Sequence, residues 1–194
     1  MDKVTYFGHE FSAAGMEPDK QKVTVVQEWE TPKDVTDLRS FLGLPSYYRR
    51  YISNFADIAA PLHRSTDKGV PFSWDADCQS AFDTLKTRRT QAPVLRYPDF
   101  FYSAAPFQLH TDASAVGLGV VLEQNGHVIA YASRILTPSE CNYSVIQKEC
   151  LALVYGMKQF RHNLFVRHFT VLVDHAPLQW LSGQKMLDPC LARI

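Results

Sequence analysis

The sequence predicts an α/β protein with a helical N-terminal part, and three observations carry that expectation. Between residues 19 and 90, apolar positions recur at helical spacing behind residues suited to capping helix starts. From Phe107 the pattern switches to alternation, with two of the alternating runs joined by Gln124-Asn125-Gly126, a hairpin signal. A long helical pattern then leads into a fourth run, Phe169 to Asp174. That order lets the fourth strand lie parallel beside the first after a helical crossover. The 194 residues suffice for one medium domain or two small ones at roughly 100–200 residues each. A boundary is expected near residues 93–106, where helices give way to strands.

Taken in order, Val4 to Phe11 reads as a short strand, followed by a turn at Ala14-Gly15 and Pro18. Asp19 is placed to cap a helix carrying Val23, Val26 and Trp29. Thr31 is the candidate cap of a second helix, with Pro32 in its first turn and Asp34 complementing its dipole. Val35, Leu38, Phe41 and Leu42 form its buried stripe, and Gly43 and Pro45 should stop it. Tyr47 to Leu62 reads as two short amphipathic helices, and residues 64–73 as a linker. Asp75 caps a helix that buries Cys78, Ala81, Phe82 and Leu85 and ends in the basic residues Lys86, Arg88 and Arg89. In the second half, Phe107, Leu109 and Thr111 alternate with Gln108, His110 and Asp112. Gly117 to Leu122 and His127 to Ser133 follow as strands, and Tyr143 to Leu164 as one long helix. Ala176 to Leu181 begins another helix.

Composition narrows the function classes. A hydrophobic content of 46% suits a chain that buries a real core. Twenty basic and twenty acidic residues cancel, so any basic surface for nucleic acid must be local. Cys78, Cys141, Cys150 and Cys190 lie far apart with no C-x-x-C pair, which argues against a disulfide framework or zinc site. There is no signal-peptide pattern and no apolar run of about 18 residues. The chain is expected to be soluble, intracellular (cytoplasmic or nuclear) and without a membrane partner.

Three carboxylates stand out. Asp112 and Asp174 each end a strand, and parallel pairing of those strands would bring both to one sheet edge, where ligands collect in open α/β folds. Glu149 falls on the apolar stripe of the long helix, with Ile146, Leu153, Met157 and Phe160, where an unpaired carboxylate is expensive to bury. Singly, each has a plainer explanation as a turn cap or a stripe-edge residue. Together they match a site for a hard divalent ion, Mg²⁺ or Mn²⁺, of the kind that hydrolyses phosphodiesters. His175 follows Asp174 and reads most simply as a turn residue. Tyr48, Arg49 and Arg50 are candidate nucleic-acid contacts, because alternating cations and aromatics suit phosphates and base faces.

Several motifs, in order, resemble the Pol polyprotein of gypsy-type LTR retrotransposons. They include Phe7-Gly8-His9, Leu38-Arg39-Ser40-Phe41-Leu42-Gly43, Tyr47-Tyr48-Arg49-Arg50-Tyr51, Ala92-Pro93-Val94-Leu95, Thr111-Asp112-Ala113-Ser114, Tyr131-Ala132-Ser133-Arg134, Lys148-Glu149-Cys150 and Asp174-His175. The resemblance covers almost the whole chain. It implies that residues 1–18 end a polymerase palm with the primer-grip hairpin and that 19–92 form thumb helices. A connector would span 93–106, and 107–194 an RNase H-like mixed sheet that is C-terminally incomplete. By motif match, Asp112, Glu149 and Asp174 take the places of the first three metal ligands. The implied partner is an RNA–DNA hybrid or template–primer, told from DNA by its 2′-hydroxyls.

The departures from the family are informative. The polymerase motif Tyr-x-Asp-Asp would lie upstream of residue 1, in a segment of the same polyprotein, and no residue can be given the role of the fourth metal-binding Asp. Arg89 stands where the family usually has an apolar residue, and Gln147 replaces a commonly acidic one. Two functions are therefore expected to compete. One is a reverse-transcriptase fragment whose RNase H-like part cleaves the RNA of hybrids with two metals. The other is an inactive remnant that only binds nucleic acid or protein.

Overall fold

The computed structural model describes residues 3–101, 103–165 and 168–173. Its first elements are three short antiparallel strands, β1 (Val4–Tyr6), β2 (His9–Ser12) and β3 (Gly15–Pro18). The single strand expected over Val4 to Phe11 is broken at Phe7-Gly8. Both residues have positive φ, so the chain turns there and pairs Tyr6 with His9.

Helix α1 (Lys20–Gln27) starts behind Asp19, whose carboxylate accepts the Gln21 amide. Helix α2 (Val35–Tyr47) is capped by Asp34, not Thr31, because Asp34 has the extended backbone that lets its side chain accept the Asp37 amide. Nor does α2 stop at Gly43 and Pro45. Pro45 lies in the last turn, where little of the helical ladder depends on its missing N–H, and its ring is buried. A short 3-10 turn (Arg49–Tyr51) replaces the first of the two expected short helices. The second is α3 (Phe55–Arg64). Helix α4 (Ala76–Thr90) starts at Asp75 and buries Cys78, Ala81, Phe82 and Leu85, as its spacing predicts. Arg89 does not join a solvent-facing basic end but is 1% exposed. The four helices share one core, centred on Leu38, Phe41, Phe55, Leu62, Phe82 and Leu85.

In the second half, β4 (Phe107–Ala113), β5 (Gly117–Gln124) and β6 (His127–Ile135) form an antiparallel meander. The hairpin at Asn125-Gly126 has φ of 52° and 71°, the pair of positive values that matches strand twist. After β6 comes a short helix, α5 (Pro138–Cys141), with a capping box from Thr137 and Glu140. The long helix is two pieces, α6 (Val145–Gln159) and α7 (Arg161–Leu164), divided at Phe160. Strand β7 (Phe169–Val173) then lies parallel to β4, giving the order β6-β5-β4-β7 predicted by the crossover.

The buried stripe of α6 is rotated from the expected one. Glu149, Ala152 and Gly156 face inward, with Phe160 at the C-cap, whereas Ile146 and Met157 are more than 40% exposed. Gly156 sets the rotation. A Cβ there would meet Val120 at 2.8 Å, so the bare glycine is what lets the helix seat on the sheet.

The connector is tied to both halves. Met16 and Leu95 exchange backbone hydrogen bonds at 2.8 and 2.9 Å, and the Arg96 N–H donates to the Val128 carbonyl. Buried Gln124 accepts the Asp99 amide and donates to the Asp99 and Ala105 carbonyls. Met16, Tyr48, Tyr51 and Leu95 form a small core at this joint, with Tyr131 packed against it. Cys78, Cys141 and Cys150 are free. Among the described residues, no helix is long and apolar enough to cross a membrane.

Candidate functional site

Asp112 is the penultimate residue of β4. It is exposed and pairs across the ladder with Gly119, while its neighbour Thr111 is buried on the face that α6 covers. The parallel ladder with β7 is described as far as the pair Thr111 and Val173. Asp174 and His175, and the helix expected from Ala176, lie outside the described residues.

Glu149 is 5% exposed on α6. The same helical segment packs through Leu151 and Ala152 against Leu118, Leu136 and Ala113, the residue that follows Asp112 at the end of β4. Burial first, and the charge of Glu149 second, push the neighbouring Cys150 thiol upward in pKa, which keeps it protonated and unreactive. Gln147 has a local task. Its side chain accepts the Ser144 amide while Ser144 Oγ accepts the Gln147 amide, so it completes the capping box that starts α6. Among the described residues, no three His, Cys, Asp or Glu side chains group to hold a metal. The donors at this end, an exposed and a buried carboxylate, are of the chemistry that suits Mg²⁺ or Mn²⁺.

The Tyr-Arg-Arg segment is resolved differently from its sequence reading. Tyr48 is 1% exposed, with its hydroxyl donating to the Gly8 carbonyl and the Arg89 guanidinium over its ring, so it is a packing residue and not a surface contact. Tyr47 is the outward tyrosine, at 52% exposure. Arg49 and Arg50 do reach the surface, where they line a cleft of about 550 Å³ with Tyr47, Arg96, Tyr97 and Tyr131. No described Asp or Glu lines it. In a chain of zero net charge, three arginines without a carboxylate make a local attraction for phosphates. Arg96 and Tyr97 escaped the sequence reading because nothing in an extended connector distinguishes a cleft wall from a spacer.

One ion pair near the site sets a pH response. Arg134 donates to both carboxylate oxygens of Glu140 at 2.7 and 2.8 Å, and the Thr137 amide adds another bond. The Arg134 bond leads the causes that hold Glu140 at about 2, below its ordinary 4.5. The folded-state pKa is depressed, so this stabilisation is complete above about 4.5 and is lost as the pH falls toward about 2. Thermal melts across that window are expected to show a falling midpoint in wild type and a flatter profile in Glu140→Gln. Parallel profiles would rule the pair out as a source of acid sensitivity.

Comparison with known proteins follows the same lines. Residues 74–171 match the family described as the RNase H-like domain found in reverse transcriptase. The Pol polyprotein from transposon 412 of Drosophila melanogaster is 40% identical over 198 residues, covering 100% of this chain and 16% of that protein. The Pol polyprotein from transposon gypsy, also of Drosophila melanogaster, is 36% identical, covering 99% and 20%. A Tf2-3 polyprotein of Schizosaccharomyces pombe is 32% identical, covering 91% and 14%. The chain thus spans a fifth or less of the length of these relatives. Among solved structures, the foamy viral protease-reverse transcriptase dRH in complex with double-stranded DNA superposes with a TM-score of 0.81 at 21% identity, over 98% of this chain and 35% of that one. The foamy viral protease-reverse transcriptase in complex with an RNA/DNA hybrid gives 0.78, also at 21% identity, covering 98% and 27%. At that identity the likeness establishes the fold.

Proposed function

The chain belongs to the family of RNase H-like domains found in reverse transcriptases, as carried in retrotransposon Pol polyproteins. On that premise we propose that it binds an RNA–DNA hybrid or template–primer and that its second half hydrolyses the RNA strand. The single observation that carries this reading is a buried glutamate, Glu149, on the helix whose Leu151 and Ala152 pack with Ala113, the residue that follows exposed Asp112.

In this reading residues 1–18 are the end of a polymerase palm, 19–92 thumb helices, 93–106 a connector and 107–194 the RNase H-like part. An upstream polymerase segment belongs to the same polyprotein. Asp112, Glu149 and Asp174 hold the metal, with Asp112 open to solvent and Glu149 fixed by the packing of α6. When bound there, Mg²⁺ or Mn²⁺ would supply a lowered pKa for an attacking water and positive charge against the phosphate oxygens. The chain's own contribution is to hold carboxylates at one sheet edge and to present the cleft of Arg49, Arg50, Arg96 and Tyr47 to the nucleic-acid backbone. Tyr47 takes the contact role in place of buried Tyr48.

A cleavage assay on a hybrid with labelled RNA tests this. Wild type should cut only with a divalent ion, and Asp112→Asn should lose roughly a hundredfold or more, as when a principal electrostatic group is removed. Cleavage that survives Asp112→Asn would sink the metal assignment. The second reading, a remnant that binds without cutting, draws on the cleft of Arg49, Arg50 and Arg96, which suits a phosphate backbone whatever the carboxylates do. It predicts hybrid binding equal in wild type and Asp112→Asn, with no cleavage by either.

A further inference from the structure

Helix α3 begins without a cap of its own. Asn54 stands at its N-terminus with φ 54°, and its side chain accepts no first-turn amide. The sheet supplies the acceptor. The Ala56 N–H donates to Ser133 Oγ of β6 at 3.0 Å, a buried bond across 77 residues of chain. Orphan amides at a helix start need such a partner.

In return, α3 reaches the turn that follows Asp112. Ser114 Oγ donates to Asp57 Oδ1 at 2.8 Å and accepts the N–H groups of Val116 and Gly117 at 3.0 and 2.8 Å. Two glycines of β5 permit this approach. A Cβ on Gly117 would lie 2.6 Å from Asp57 Oδ1, and one on Gly119 would lie 2.7 Å from Asn54 Oδ1. Gly119 is the ladder partner of Asp112, so the Asn54 side chain occupies the space that a side chain opposite Asp112 would fill.

We propose that Asp57, with Asn54 beside it, is a positioning residue for Asp112. The inference rests on the metal reading of Asp112 and goes beyond it, since it assigns part of the site's rigidity to a helix of the other half. The physical step is small and definite. A serine hydroxyl has one proton, and directing it to Asp57 leaves its lone pairs aimed at the two turn amides. Without Asp57 the proton turns to the Gly117 carbonyl, which lies at 3.2 Å, and the turn loses its tie to α3. Metal ligands depend on such outer partners to hold their orientation.

The test compares the full chain as wild type, Asp57→Ala, Asp57→Asn and Asp112→Asn by two measurements. Amide hydrogen exchange reads Val116 and Gly117, and Mn²⁺ titration reads the binding that Asp112→Asn abolishes. Asp57→Ala should speed exchange at those two amides by about five- to tenfold, the local opening that follows removal of one net hydrogen bond. It should also weaken Asp112-dependent Mn²⁺ binding severalfold. Asp57→Asn keeps an acceptor oxygen and should stay near wild type in both. Unchanged exchange in Asp57→Ala overturns the inference whatever the metal does. Faster exchange with unchanged Mn²⁺ affinity also overturns it, because the turn is then held without positioning Asp112. A wild type with no Asp112-dependent Mn²⁺ binding overturns the metal reading itself, and the exchange arm keeps the two failures apart.

Discussion

Replacing Arg89 with leucine or methionine is expected to raise the melting temperature of the chain. Arg89 is 1% exposed, and among the described residues none of its guanidinium nitrogens has a hydrogen-bond partner of good geometry, Tyr48 being the side chain that favours its charge most. Its compensation is the ring of Tyr48, with the guanidinium carbon 3.6 Å from the centroid. A desolvated cation–π contact contributes about 2 kcal/mol. The effective penalty for burying a charge is several kcal/mol even after relaxation. Desolvation wins, and the same imbalance lowers the pKa of Arg89 from its ordinary value, with burial the leading cause. Exchanging such a charge for a packed apolar side chain stabilises by about 1–4 kcal/mol, or roughly 2–4 °C per kcal/mol for a chain of this size. A second readout accompanies it. His9 is held below its ordinary pKa by burial first and then by Arg50 and Arg89, so losing the Arg89 charge should move His9 upward. Thermal melts and a histidine titration check both. A melting point equal to or below wild type in Arg89→Leu and Arg89→Met alike would show that the cation is compensated in a way its contacts do not reveal.

Arg89 also shows where sequence reasoning reaches its limit. Caps are readable because the information is local: Asp19 and Asp75 hold acceptors two and three residues from the amides they serve. The choice between Thr31 and Asp34 is already harder, since both carry an acceptor and the outcome turns on backbone conformation. Arg89 follows Lys86 and Arg88 and so reads as part of a solvated helix end. What buries it is an aromatic ring from an element some forty residues earlier. The α6 stripe failed for a related reason. That helix is apolar on most sides, so periodicity leaves its rotation open, and the contact of Gly156 with Val120 decides it. Glu149 survives either rotation because it borders both stripes, and Asp112 was legible from strand alternation alone. Asp57 was not legible, being 57 residues from the serine it holds. Local chemistry was written in the sequence, and chemistry between the halves was not.

The joint between those halves should fail most sharply at Gly15. Gly15→Ala is expected to destabilise the chain by roughly 2–6 kcal/mol, from two costs that add. The first is conformational: φ at Gly15 is 136°, outside the regions open to an L side chain, and strain of this kind costs about 1–3 kcal/mol. The second is steric. An added Cβ would fall 2.2 Å from the Leu95 carbonyl oxygen and 3.0 Å from its carbon, and forcing atoms into a packed site costs about 1–3 kcal/mol. A flexible side chain could swing away, but the Leu95 backbone cannot move without breaking its paired bonds to Met16. The Tyr97 hydroxyl, which donates to the Gly15 carbonyl at 3.0 Å, would lose its geometry as well. Gly69 is the control. It too has positive φ, at 82°, but open space surrounds it, so Gly69→Ala bears the conformational cost alone. Urea titrations of the two variants separate the contributions through their midpoints at constant slope. Gly15→Ala should also open the connector to protease near Leu95 while the helical core stays protected, since the two cores share no fully buried residue and meet only through half-buried Leu44. Equal midpoints for the two alanine variants would mean that the Leu95 carbonyl yields without cost, and that the connector is not a structural tie between the halves.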